Sequence, residues 1–153
     1  MTREIEGALD GQGLHLGIAV ATWNRSITDR LLEGAMRRAG ELAVGETTVV
    51  RVPGSLELPV AALALAGHGC DAVVAIGAVI KGETDHYDIV VRETSAGLSR
   101  VALDTGIPVA HAVLAVHDVS QAMDRSGPGP DNKGGEAVDA AISTARAIAE
   151  LRG

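Results

Sequence analysis

Lys81-Gly82-Glu83-Thr84-Asp85-His86-Tyr87-Asp88 gathers a cation, a glycine, a hydroxyl, an imidazole and several carboxylates into one short run. An imidazole titrates near neutrality and can move protons. Asp88 is two residues from His86, and Asp85 and Glu83 are close enough to raise its basicity. A Gly82-Glu83-Thr84 segment opening a helix offers free amides and a hydroxyl to an anion, provided the Glu83 side chain turns away. The plainer reading of the same run is a capped, solvated helix start. Arg125, beside a Gly/Pro loop, has the planar fork that clamps a phosphate, or is a solvated charge. Trp23, the one tryptophan, offers a stacking face for a heterocycle or fills a core or interface. Glu57, between Leu56 and Pro59, either accepts a hydrogen bond from a ligand or begins a helix. Lys133 either reaches a ligand or pairs with Glu136.

Elements must carry these side chains, and the pattern supplies four strand–helix pairs. Leu16 to Ala21 reads as a buried strand, followed by a helix with Ile27, Leu31, Leu32, Ala35 and Ala39 at helical spacing. Asn24 or Ser26 is placed to cap it and Gly40 or Gly45 to close it. Thr47 to Val52 is the second strand, broken by Pro53-Gly54-Ser55 before an alanine-rich helix from Leu56 to Ala66. Asp71 to Ile80 is an almost unbroken apolar run, as in a central parallel strand covered on both faces. A helix is expected from about Asp85 to Leu103, a fourth strand from Pro108 to Val116, and a short helix, capped by Asp118 or Ser120, reaching Arg125. After the Ser126–Asp131 loop, a last helix begins at Asn132. The alternation implies one α/β domain over residues 1–153. It is a three-layer, flavodoxin-like sandwich with a four-stranded, mostly parallel sheet. Residues 1–15 form an N-terminal arm, with 3–9 expected as a fifth strand lent to a neighbouring subunit. Ligands bind beyond the carboxyl ends of such strands, so Trp23-Asn24, Pro53 to Glu57, Lys81 to Asp88 and His117 to Arg125 are expected at one end of the sheet.

Composition narrows the function. A net charge of −7, spread without basic blocks, argues against nucleic acid as a partner. The apolar runs fall short of the roughly 20 residues that span a bilayer, and the first residues are polar and acidic rather than a signal peptide, so a cytoplasmic protein without membrane contact is expected. The single cysteine, Cys70, excludes an internal disulfide and reads as a small buried residue. No dinucleotide fingerprint, phosphate loop, zinc spacing or nucleophile elbow is present. The expectation is catalysis without metal or cofactor, or no catalysis.

Four motifs in order resemble the lumazine synthase family. Pro53-Gly54-Ser55-Leu56-Glu57-Leu58-Pro59 is similar to its G-[SA]-x-E-[IL]-P, and Gly77 to Asp88 to its G-x-[VL]-I-[RK]-G-x-T-x-H-[FY]-[DE]. Gln121 to Gly127 resembles Q-A-x-x-R-[AS]-G, and Asn132 to Ala137 resembles N-K-G-x-E-A. The likeness runs from about Leu16 to Leu151.

The resemblance implies a cofactor-independent transferase of riboflavin biosynthesis. It would condense 5-amino-6-(D-ribitylamino)uracil with 3,4-dihydroxy-2-butanone 4-phosphate to 6,7-dimethyl-8-ribityllumazine, phosphate and water. His86 would move protons, with Asp88 orienting it. Trp23 and Asn24 would flank the pyrimidine, Ser55, Leu56 and Glu57 would hold the ribityl chain, and main-chain groups of Ala78, Val79 and Ile80 would edge the ring. Glu83, Thr84 and Arg125 would bind phosphate. His111 and Lys133 would come from a partner subunit, since the family's site lies between subunits of a pentamer. Some members close twelve pentamers into a 60-subunit shell, with riboflavin synthase as a further partner. One segment departs from the family pattern. Where it commonly reads P-[VI]-x-[FN]-G-V-L-T, this chain has Pro108-Val109-Ala110-His111-Ala112-Val113-Leu114-Ala115, placing a histidine at the wall of the pyrimidine pocket. A lumazine- or flavin-binding relative without turnover, or a shell-forming one, is the alternative.

Overall fold

The larger apolar side chains of the first strand point to one face, and the smaller ones to the other. In the computed structural model, which describes residues 1–153, the first strand, β1 (His15–Ala21), sends Leu16, Ile18 and Val20 one way and Gly17, Ala19 and Ala21 the other. The chain continues through α1 (Arg25–Glu41), β2 (Glu46–Val52), a short 3-10 turn (Ser55–Glu57), α2 (Leu58–Gly67), β3 (Ala72–Ile80), α3 (His86–Thr105), β4 (Val109–Val116), α4 (Val119–Arg125) and α5 (Lys133–Arg152). All strand pairs are parallel, in the order β2-β1-β3-β4.

Period-two alternation sorts the core into two layers. Leu16, Ile18, Val74 and Ile76 pack with Ile27 and Leu31 of α1 and Val138 and Ile142 of α5. On the opposite face Ala19, Val73 and Ala75 meet Leu58, Ala62 and Leu65 of α2 and Leu98 of α3. Small strand residues there let α2 lie close, which is why a core without phenylalanine closes. Arg38 joins α1 to α5 through Asp139 (2.6 Å) and is held more firmly protonated by that bond.

The three-layer plan and all four strands match expectation, and the differences are local. α1 runs through Gly40, and the chain turns at Ala43 with φ 58°, so neither predicted glycine closes the helix. Neither Asn24 nor Ser26 supplies a side-chain cap to α1. The Asn24 amide is spent elsewhere, as described below. Residues 3–9 form no strand in this sheet. They lie along α5, where Ser143 Oγ donates to Gly7 O (2.9 Å) and Arg146 Nε to Asp10 O (2.8 Å). Beyond α3 the predicted stop holds, with Gly106 in the left-handed conformation at φ 72°.

Candidate active site

The carboxyl ends of β1, β2 and β3 are tied together before any ligand is considered. Thr22 N–H donates to Val52 O (2.7 Å) and Trp23 N–H to Pro53 O (2.9 Å), joining the exits of β1 and β2. Asn24 sits in the left-handed region (φ 59°, ψ 44°), which asparagine tolerates better than most residues. From there its Nδ2 donates to Ala78 O (2.8 Å), joining β1 to β3. Its Oδ1 remains as an acceptor at the rim.

Two glycines make room for the side chains of this cup. A Cβ on Gly77 would stand 2.5 Å from Ser55 Oγ, so Ser55 is buried directly on the β3 backbone. A Cβ on Gly54 would stand 2.6 Å from Trp23 Cε3, so the indole lies on bare backbone and is still 66% exposed. Glu57 Oε1 accepts the Gly54 N–H (2.9 Å), locking the turn and leaving Oε2 for another donor. The resulting cavity is about 400 Å³, and Trp23, Asn24, Ser55, Leu56, Glu57, Ala78, Val79, Ile80 and His86 all line it. Its walls are mostly apolar, with a carboxylate, an amide and an imidazole at the edges. Such a cavity suits a flat heterocycle carrying a polar tail.

His86 opens α3, and its N–H donates to Thr84 Oγ1 (3.4 Å). Glu83 and Thr84 precede the helix in a bend and are exposed, and the helix begins at His86 with Asp85 before it, close to the expected start. No hydrogen bond or ion pair joins the His86 ring to Asp88, contrary to expectation. On a helix, residues two apart point to different sides.

A second cavity, about 540 Å³, runs along the outer edge of β4 beneath α4 and α5, and holds His111, Arg125 and Lys133 with Glu136. It shares no lining residue with the cup. Arg125 Nη1 donates to Gln121 O (3.0 Å), and Lys133 Nζ pairs with Glu136 Oε2 (2.8 Å). Asn132 anchors this wall: its buried side chain accepts from Gly134 N–H (2.8 Å) and donates to Gly127 O (2.8 Å). The grouping of Arg125 with Glu83, Thr84 and His86 is therefore not formed within one chain: β4 adjoins β3, but Arg125, at the end of α4, lines the groove along β4 while His86 lines the cup.

Sequence reasoning found most of the cup but missed Gly77 as the seat of Ser55 and Asn24 as a clamp. A glycine interrupting the apolar β3 run was the available signal for the first. Cys70 is buried at the other end of the sheet, where loss of hydration pushes its thiol above the usual range, leaving it an unreactive filler.

Comparison with known proteins agrees with this geometry. Residues 13–149 match the family model for 6,7-dimethyl-8-ribityllumazine synthase. The chain is 51% identical over 142 residues to the enzyme of that name from Saccharopolyspora erythraea, covering 92% of this chain and 86% of that protein. It is 47% identical over 146 residues to the one from Mycolicibacterium vanbaalenii (94% and 92% covered). Against the one from Streptomyces avermitilis it is 45% identical over 137 residues (88% and 85% covered). With its flavodoxin-like sheet and intact motifs, the chain belongs to the 6,7-dimethyl-8-ribityllumazine synthase family, enzymes of riboflavin biosynthesis.

Proposed function

We propose that the chain condenses 5-amino-6-(D-ribitylamino)uracil with 3,4-dihydroxy-2-butanone 4-phosphate in a site shared between adjacent subunits, the cup of one facing the β4 groove of the next. The observation that carries this reading is the division of the expected residues into two incomplete cavities on one chain. The cup has the imidazole and stacking surface but no cation, and the groove has the cations but no stacking ring. Exposed Leu56 at the cup, Val49 and Val50 on the edge strand β2, and Val60 and Leu63 on α2 supply apolar surface for a neighbour.

In this arrangement Trp23 stacks on the pyrimidine, and main-chain groups of Ala78, Val79 and Ile80 edge it. Asn24 holds that edge in place and presents Oδ1 to a ring N–H. Ser55, Leu56 and Glu57 hold the ribityl chain, with Glu57 Oε2 accepting from a hydroxyl. The amides of Glu83 and Thr84 and the Thr84 hydroxyl bind the phosphate from the cup side, and Arg125 of the adjacent subunit closes on it. Lys133 lines the same wall. His86 moves protons as the amine adds to the ketone, phosphate leaves and the ring closes. Amine–ketone condensation is intrinsically feasible, so much of the rate comes from holding two substrates together. The assembly is a pentameric ring, and the short Ser126–Asp131 loop is compatible with twelve rings closing into a shell. Residues 3–9 then leave α5 to extend a neighbour's sheet. The protein acts in the cytoplasm, and riboflavin synthase would consume its product.

Lumazine absorbance with both substrates, corrected for the uncatalysed reaction, tests this. Wild type should exceed the blank, with turnover falling about 10²-fold or more in His86→Ala. Arg125→Ala should chiefly raise KM for the phosphorylated partner. Wild type no faster than the blank would contradict the reading.

A further inference from the structure

We propose that Arg30 is a positioning residue for phosphate recognition: its Nε–H, donating to Ser126 O, fixes the end of α4 and so aims Arg125 at the neighbouring subunit's cup. The inference rests on the role proposed above for Arg125. Arg125 is the last residue of α4, and the turn that follows is thinly bonded. Pro128 and Pro130 have no N–H to give. The backbone bonds at the turn are only those from Ser126 N–H to Met123 O (3.2 Å) and from Asn132 N–H to Gly129 O (3.2 Å). Side chains have to hold it, and they do so from α1.

Arg30 Nε–H reaches Ser126 O at 3.1 Å. Arg30 O in turn accepts from Asn132 Nδ2 (3.2 Å), and the same amide group donates to Gly127 O (2.8 Å). One residue of α1 thus fastens the turn at both ends, beside Arg125 on one side and beside Lys133 on the other. α1 is a firm base here because it meets the start of α5 at backbone contact. A Cβ on Gly34 would coincide with the Asn132 carboxamide, and one on Gly134 with Leu31 O. Ser126 is itself buried, and its Oγ donates to Ala122 O (2.9 Å), so its carbonyl is not free to turn. Arg30 is half-buried, and no carboxylate pairs with it although Glu33 lines the same cleft. Its side chain bonds to backbone alone, so the donor at Nε, rather than the charge, sets the turn. Phosphate recognition by a forked guanidinium depends on placement, and a shift of about 1 Å can cost up to about 100-fold.

Two substitutions separate the bond from the charge. Arg30→Gln keeps an N–H donor at the atom where Nε stands, and Arg30→Met puts a methyl there. Met should raise KM for the phosphorylated substrate about five- to tenfold with kcat within about twofold. Its KM for the pyrimidine, and the pyrimidine Kd read by quenching of the single tryptophan, Trp23, should stay within about twofold of wild type. Gln should match wild type in all of these. Added to Arg125→Ala, Arg30→Met should cost less than about twofold more, because both act through one guanidinium. A Met variant with wild-type KM for the phosphorylated substrate, or a Gln variant as weak as Met, would overturn the assignment. So would equal losses for both substrates, or a full multiplication of the two defects, either of which marks a merely structural role. If Arg125→Ala raises that KM and Arg30→Met does not, this inference alone fails. If Arg125→Ala leaves it unchanged, or wild type is no faster than the blank, the proposed role of Arg125 falls and this inference with it.

Discussion

The cup and the β4 groove are built on different principles. The cup is fixed by its own bonds: backbone amides join the exits of β1 and β2, Asn24 clamps β1 to β3, and Trp23 and Ser55 rest on glycines. The groove is an open strand edge with cations along it, and Asn132 anchors its outer wall. The cup is thus preorganised within one chain, whereas the groove supplies charge to a place defined by something else. A site that must join two substrates can divide the work this way, binding the heterocycle rigidly and bringing phosphate recognition in with the neighbouring copy.

Substitutions should separate the two regions, most strongly in the cup. Gly77→Ala places a methyl where Ser55 Oγ sits and 3.2 Å from Leu58 Cδ1. It should cost about 1–3 kcal/mol of stability and most of the activity, read as a lower denaturation midpoint alongside the rate. Arg125→Ala should instead leave the midpoint within about 0.5 kcal/mol while impairing catalysis, because the side chain is exposed. Equal stability losses from the two would erase the contrast.

A smaller effect is expected from Asn24→Ala, which breaks the bond to Ala78 O and puts alanine in the left-handed region. A loss of about 1–2 kcal/mol with weaker pyrimidine binding is predicted. Asn24→Gly should regain the stability attributable to backbone conformation but not the binding, which separates clamp from strain.

The smallest concerns Asp29, which ties α1 to Arg51 just before the Pro53–Gly54 turn (3.0 Å) and also meets Arg25 (3.3 Å). The Arg51 hydrogen bond leads in holding the Asp29 carboxyl below its ordinary range. A carboxylate with a depressed folded-state pKa contributes stability above its unfolded pKa, and that contribution is lost as pH falls through the folded value. Acid titration of the denaturation midpoint should show an extra fall below about pH 4 that Asp29→Asn lacks. The pair is exposed, so the increment should be small.

Most of the fold and nearly all of the cup were legible in the sequence because both follow from local pattern. Apolar runs mark the strands, and the cup residues follow those runs at the strand exits. The position of Arg125 was not legible that way. β4 adjoins β3 directly, with Ile80 beside Val116, but Arg125 lies at the far end of α4 and its side chain lines the groove along β4 rather than the cup. Within one chain the arm at residues 3–9 lies along α5, where its sparse apolar positions fit as well as they would a neighbour's strand edge. His86 and Asp88 looked coupled by proximity in sequence, but helical geometry separates their side chains.

The claim that the active site is split between chains is tested most directly by mixing two impaired proteins and assaying them with the phosphorylated substrate well below the KM of Arg125→Ala. His86→Ala lacks the cup's imidazole and Arg125→Ala lacks the groove's cation, but each keeps the other half intact. Refolded together in equal amounts into rings with head-to-tail interfaces, they should recover about a quarter of wild-type activity, since about one interface in four pairs two intact halves. A mixture no more active than the average of the two separate variants would show that each site lies within a single chain, and would contradict the account.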